Sequence, residues 1–295
     1  MPRKLYSRFA FPVLLYVLAA LPAFSDSHIR IVRLSYVEGE VQIDRNTGKY
    51  EKAIVNLPIT EGVRLRTGGD ARAEVEFEDG STLRLASDTT LQFPHLSLQT
   101  SGTKVSSVAL VSGTIYLDYP GAKNNEMSLE VGREKLALVR AAHLRVQAGD
   151  KGTTVAVFKG EVRVQAPSGE VEVKKNQSAD FDGFDDKAQI SRNIDEMPLD
   201  SWDKQQSQYH QRYATNSYDN YSPYAYGTSD LAYYGSFFSA PGYGMMWQPY
   251  FIGAGWDPFM NGAWAYSPGF GFGWVSAYPW GWTPFHYGAW VFLPG

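Results

Sequence analysis

Residues 72–85 read RAEVEFEDGSTLRL, and their alternation decides the fold. Ala73, Val75 and Phe77 fall on one side of an extended chain, while Arg72, Glu74, Glu76 and Glu78 fall on the other. That period of two is the signature of a half-buried strand. Asp79-Gly80 reads as a turn, and Thr82-Leu83-Arg84-Leu85 as the returning strand of a hairpin. The alternation recurs in VEGEVQI (37–43), SGTIYLDY (112–119), HLRVQA (143–148), TTVAVF (153–158) and GEVRVQA (160–166). VEVKK (171–175) and SADF (178–181) close the series. Short strands separated by turn signals, without an amphipathic helix among them, predict an all-β unit over residues 26–190. Its form is an antiparallel β-sandwich or roll. Within it, His143 alternates with Ala141 and Arg145, which places its side chain toward solvent.

Outside this unit the chain changes material. All eight tryptophans lie at or beyond Trp202, the last Lys or Arg is Arg212, and Asp230 and Asp257 are the only charges after Asn220. A net charge of −4 leaves no basic surplus to displace counterions from phosphates, so nucleic acid is not an expected partner. The chain has no cysteine, which excludes thiol catalysis, zinc ribbons and iron–sulfur clusters.

At the start, Arg3, Lys4 and Arg8 precede the apolar stretch FAFPVLLYVLAALPAF (9–24), followed by the small residue Ser25. Interrupted by Pro12, the stretch falls short of the ~20 residues that span a bilayer comfortably. It reads as a signal peptide over residues 1–25, so the mature chain is expected to be exported, to the periplasm or the cell surface, with no integral membrane span. The rival reading is a retained anchor.

Residues 191–226 read as a connector. Pro198, with Asp200 or Ser201 as a cap, opens a short helix carrying Trp202, Gln206 and Tyr209 near one face. The helix either docks Trp202 on the β unit or acts as a spacer. A Tyr-, Ser- and Asn-rich linker follows it.

Residues 227–295 are aromatic and glycine-rich. WDPFMNGAWAYSPG, from Trp256, and WTPFHYGAWVFLPG, from Trp282, align without a gap at a spacing of 26 residues. Trp264-Ala265-Tyr266 and Trp290-Val291-Phe292 alternate as strands do, with Pro and Gly as turn residues. The reading is a small array of β-hairpins in which paired tryptophans occupy equivalent places.

In their order, VEGEV, GVRLRTGGDARAEVEFEDGSTLRLASDTTL, LVSGTIYL and TTVAVFKGEVRVQ resemble the FecR domain over roughly residues 34–182. The resemblance implies a periplasmic β domain that receives a signal from an outer-membrane receptor and, in well-known members, relays it to a cytoplasmic anti-sigma segment. Only eight residues precede the apolar run here, too few for such a segment. PWGWTPFHYGAW (279–290) is similar to the aromatic repeats that follow FecR domains in exported bacterial proteins, a pairing that implies a compartment and no reaction.

Aromatic rings stack on sugar faces, so Trp256, Trp264, Trp274, Trp280, Trp282 and Trp290, with Asp257 and Asn261 beside them, are the candidate binding residues. The alternative is that the rings pack on one another as a core. His286 reads as a hydrogen-bonded structural histidine rather than a general base. The carboxylates of DFDGFDD (180–186) lack the calcium-loop pattern and read as an acidic turn. No metal, cofactor or catalytic constellation is expected. The expected function is a non-enzymatic interaction protein of the bacterial envelope, contacting an envelope protein. The alternatives are a glycan- or peptidoglycan-binding protein that recognises cell-surface polysaccharide, and a FecR-type regulator without its own anti-sigma segment.

Overall fold

The structure, a computed structural model, describes residues 30–182, 187–213, 226–253, 255–267 and 271–292. The apolar N-terminal segment, the Tyr/Ser/Asn-rich linker and residues 183–186 of the acidic stretch lie outside the described residues.

The β unit runs in chain order through β1 (Val32–Glu38), β2 (Val41–Asp44), β3 (Glu51–Lys52), β4 (Pro58–Ile59), β5 (Arg64–Thr67) and β6 (Arg72–Glu76). It continues with β7 (Thr82–Leu85), β8 (Thr90–Leu98), β9 (Lys104–Tyr119), β10 (Asn125–Val131), β11 (Glu134–Leu138) and β12 (Ala142–Gly149). β13 (Gly152–Lys159), β14 (Glu161–Ala166), β15 (Gly169–Lys174), β16 (Gln177–Asp182) and β17 (Ala188–Ser191) complete it. The predicted hairpin is present: β6 pairs antiparallel with β7 from Glu76↔Thr82 to Ala73↔Leu85, and Asp79 caps the turn by accepting the Ser81 N–H at 3.0 Å.

The strands form two layers joined through β9. One sheet runs β4-β1-β6-β7-β9-β12-β13-β16-β17, the other β3-β2-β5-β8-β9-β10-β11-β14-β15. Antiparallel pairing dominates, as expected of a sandwich or roll, and β9–β10 is a parallel exception. Alternate residues of both sheets meet in one core that includes Leu34, Val75, Leu83, Leu117 and Val146 from the first and Ile43, Leu65, Phe93, Leu129 and Val164 from the second.

β9 changes layers at Gly113, where φ is 91° and a Cβ would lie 2.5 Å from Thr89 Oγ1 and 2.6 Å from Thr89 Cα. Thr89 spans this crossing: its hydroxyl accepts the Thr114 N–H and bonds the Thr114 carbonyl, each at 3.0 Å. Only glycine fits both the backbone conformation and the space.

The half-buried reading of β6 requires correction. Glu74, Glu76 and Glu78 are as buried as the apolar residues between them, and all of β7 is buried. The outward face of this sheet is covered, in part by helix α1 (Asp200–Tyr213). The helix docks rather than acting as a spacer. Trp202 is buried against Tyr36, with ring centroids 5.9 Å apart. Asp203 takes Arg84 of β7 at 2.7 Å, and Asp200 takes Arg145 of β12 at 2.6 Å and the Tyr116 hydroxyl at 2.9 Å. His143 is corrected with it: it lies 2.8 Å from Asp203, beneath the helix instead of in solvent.

Two outcomes follow for stability. Gly113→Val places a branched side chain at positive φ against Thr89, and urea denaturation is expected to show a loss of at least about 2 kcal/mol. Arg84→Met removes the guanidinium that the buried Glu74 and Asp203 share and should cost about 3–5 kcal/mol. Adding Glu74→Gln and Asp203→Asn to Arg84→Met should recover part of that loss, because the stranded charges are removed with their partner.

Candidate binding groove and the interface that holds it

The aromatic region contains helix α2 (Thr228–Tyr234), the hairpin of β18 (Gly235–Ala240) and β19 (Gly244–Pro249), and the hairpin of β20 (Gly262–Ser267) and β21 (Gly271–Ser276). A 3-10 turn (Pro279–Gly281) and helix α3 (Trp282–His286) follow. The expected hairpins are therefore present, but in another register. Their strands open at Gly235 and Gly262, and Phe237↔Trp247 and Trp264↔Trp274 are equivalent cross-strand pairs. A Cβ on Gly235 would sit 2.5 Å from the Trp247 ring, and one on Gly262 2.5 Å from the Trp274 ring. Each unit thus opens with a glycine lying under its own tryptophan. The signal was in the sequence, as GSFFSAPGYGMMW (235–247) beside GAWAYSPGFGFGW (262–274).

The two aligned segments from Trp256 and Trp282 are not structurally equivalent. In the first, Asp257 accepts the Phe259 N–H at 2.8 Å, a turn forms, and Gly262–Ser267 continues as a strand. In the second, His286 Nδ1 donates to the Trp282 carbonyl at 2.7 Å and closes a helical turn, and residues 289–292 lie in no strand. Asp257 and His286, which make these bonds, stand where the other segment has Thr283 and Met260. His286 stacks on Trp282 at 4.2 Å, and burial lowers its pKa. It is a structural histidine, as expected.

The eight candidate residues consequently separate. Trp280 and Trp282 are core: Trp280 stacks on Tyr278 at 4.7 Å, and Trp282 meets Tyr226 edge-on at 5.4 Å. Trp264 is 66% exposed and pairs with half-buried Trp274 at 5.8 Å on the outward face of its hairpin, beside Tyr266 and Phe272. On the opposite face, Ala265 and Val275 pack against the main core. Asp257 and Asn261 are exposed turn residues. Trp256 and Trp290, 5.4 Å apart, line a groove of about 890 Å³. Its other walls include Phe237, Phe238, Met245, Met246, Trp247 and Ile252, and none of its lining residues is charged. Sequence reasoning missed these side chains because it kept to the segments from Trp256 onward, and the hairpin of β18 and β19 lies before them.

It also missed what fixes the region in place. Arg33 of β1 is fully buried. Its guanidinium reaches Glu76 at 3.1 Å, Asp230 of α2 at 2.5 Å, the Asn56 side-chain oxygen at 3.0 Å and the Pro279 carbonyl at 2.5 Å. Asn56 donates to the Ser276 and Tyr278 carbonyls at 3.0 and 2.7 Å, and Glu76 accepts the Gly227 N–H at 3.0 Å. Asp230 also accepts from Tyr209 of α1 at 2.6 Å. The sequence clue was Asp230 itself, one of only two charges after Asn220. Burial raises the pKa of Glu76 to about 7 against the pull of His210 and Arg33. Burial would raise Glu74 as well, but His210 and Arg84 outweigh it and hold Glu74 below the usual carboxylate range.

Among the described residues, no helix is long and apolar enough to cross a membrane. Two solved structures, each titled as a "putative anti-sigma factor" from Parabacteroides distasonis ATCC 8503, at 1.65 and 2.50 Å resolution, resemble the chain at 15% identity with TM-scores of 0.39 and 0.40. Each likeness covers 47% of this chain and 63% of the other, so the chain spans less than two thirds of those chains. No curated protein matches. Residues 63–163 match the FecR protein family, and residues 228–295 match a family of unknown function, DUF6600. The chain carries a FecR domain followed by a DUF6600 region.

Proposed function

We propose that this chain is a non-enzymatic, exported interaction protein of the bacterial envelope, and that the groove of its aromatic region takes an apolar segment of a partner protein. The observation that carries this reading is the uncharged groove between the β18–β19 hairpin and residues 287–292. Its lining is dominated by thioethers, aliphatic groups and rings, with the hydroxyls of Thr228, Tyr243, Thr283 and Tyr287 among them. Such a lining offers adaptable apolar contact, since unbranched, polarisable Met side chains reshape around varied partners. The FecR domain supports the envelope assignment, and with it a part in envelope signalling.

Polysaccharide is the less favoured ligand. Sugar rings stack on flat platforms, whereas the outward rings of the β20–β21 hairpin are inclined, at 71° for Trp264 and Trp274 and 61° for Tyr266 and Phe272. Asp257 is also engaged, accepting its own turn's N–H.

Fluorescence titration of the chain with a panel of Leu-, Phe- and Met-rich peptides, against insoluble peptidoglycan as comparison, tests the reading. Peptides should shift the tryptophan emission, and Met246→Asp should weaken that binding at least about tenfold by placing a charge in an apolar wall. Retention on peptidoglycan that survives Met246→Asp and is lost in Trp264→Ala replaces the peptide reading with the glycan one.

A further inference from the structure

The polar face of the helix-covered sheet holds a histidine between two carboxylates. His210 Nε2 lies 2.9 Å from Glu74 Oε1, and its Nδ1 lies 4.0 Å from Glu76 Oε1. The remaining oxygens of those carboxylates are committed elsewhere. Glu74 Oε2 takes Arg84 at 2.7 Å, and Glu76 Oε2 takes both Arg33 and the Gly227 N–H. Every element packed here contributes charge or polar groups: Arg33 and Ser35 from β1, Glu74 and Glu76 from β6, Arg84 from β7, Asp118 from β9 and His143 from β12. Helix α1 adds Asp203, Ser207 and Tyr209, and α2 adds Asp230. Two buried arginines thus face four carboxylates, Glu74, Glu76, Asp203 and Asp230, and His210 is the nearest further cation for the first two.

The contacts divide unequally between the parts they join. The two sheets of the β unit enclose a core built almost wholly from their own residues, onto which the aromatic region adds Val275 and Ala265. The aromatic region reaches this face through Glu76, Arg33 and Asn56. A charge imbalance at His210 therefore falls on the attachment of the aromatic region before it falls on the β core.

We propose that His210 is a proton-held latch: protonated, it locks helix α1 and the aromatic region onto the FecR domain, and loss of its proton releases the aromatic region while the β core stays folded. Burial alone would lower the pKa of His210, but the charges of Glu74 and Glu76 and the hydrogen bond to Glu74 raise it from 6.5 to about 9. A raised folded-state value means stability that is fully present below pH 6.5 and lost as pH rises through about 9. Glu76, raised from 4.5 to about 7, acts in the same direction, its contribution falling as pH rises through about 7. Glu74 acts oppositely and matters only in acid, since its folded value is depressed. Release belongs to the window between about pH 7 and about pH 9.

Acrylamide quenching of the full chain from about pH 6 to about pH 9.5, with far-UV circular dichroism alongside, tests the latch. Trp202 of α1 is buried against Tyr36, and Trp280 and Trp282 are buried within hairpins that are marginal without their platform, so the quenching constant should rise about twofold across the window with the β signal retained. His210→Gln, which cannot be protonated, should show the raised quenching already at neutral pH. As a second measurement independent of any variant, the His210 imidazole in the intact chain should titrate well above 6.5 by NMR. An imidazole that titrates at or below 6.5 overturns the proposal, as does wild-type quenching in a folded His210→Gln chain.

Discussion

The guanidinium of Arg33, on β1, joins three parts of the chain that are distant in sequence: strand β6 through Glu76, helix α2 through Asp230, and the turn before helix α3. A strand face bearing Glu74, Glu76 and Glu78 cannot be covered by apolar side chains alone, because a buried carboxylate without a partner costs several kcal/mol. Its carboxylates must find matching charge. Arg30 meets Glu78 through two bonds of 2.7 Å, Arg84 and His210 meet Glu74, and Arg33 meets Glu76. Buried ion pairs contribute little net stability, but they specify geometry. An aromatic surface docked by apolar contact alone has many near-equal positions, whereas one that must also deliver Asp230 and the Pro279 carbonyl to Arg33 has a single register.

That register divides the work among the rings. Trp280 and Trp282 turn inward, Trp280 on Trp247 and Tyr278 and Trp282 on Tyr226, and are core. Those facing away form the groove walls and the outward ladder of Trp264, Tyr266 and Phe272. Buried and outward rings thus coexist in one region: Trp280 and Trp282 are core, and Trp264 is exposed. The choice follows from which hairpin face carries small residues. Ala265 and Val275 let the second hairpin lie flat on the main core, which turns its aromatic face outward.

Alternation along 72–85 specified the hairpin, its turn and its inward side, because period-2 patterning reports the side on which each residue lies. It does not report what lies on the other side. Glu74 and Glu76 looked solvated since charge usually is, and His143 was misread in the same way; the helix that covers them comes from residues some sixty or more positions later. The aromatic repeat was legible as a repeat but not as a unit. Identity was highest between the segments from Trp256 and Trp282, yet one continues as a strand and the other closes a helical turn through His286. The spacing that matters is the shorter one from glycine to the tryptophan lying over it, which is set by the hairpin's own geometry. The groove was not legible, because its walls come from two segments separated by a whole hairpin.

A two-stranded hairpin is marginal in water by itself, and the aromatic region consists of two of them with short helices. Its order therefore depends on the platform beneath it, and the platform's polar face depends in turn on being covered. The two regions have reason to occur in one chain before any partner is considered. The same mutual dependence carries a consequence for binding. One wall of the groove is the hairpin that follows α2, which Asp230 ties to Arg33; the other includes Trp290, four residues beyond His286. A ligand that needs both walls in place binds the docked arrangement better than the undocked one. By linkage it must then strengthen docking by the same factor that docking strengthens its own binding. With the proposed groove ligand and the proposed His210 latch, occupancy of the groove and ionisation of the face beneath it would be parts of one equilibrium.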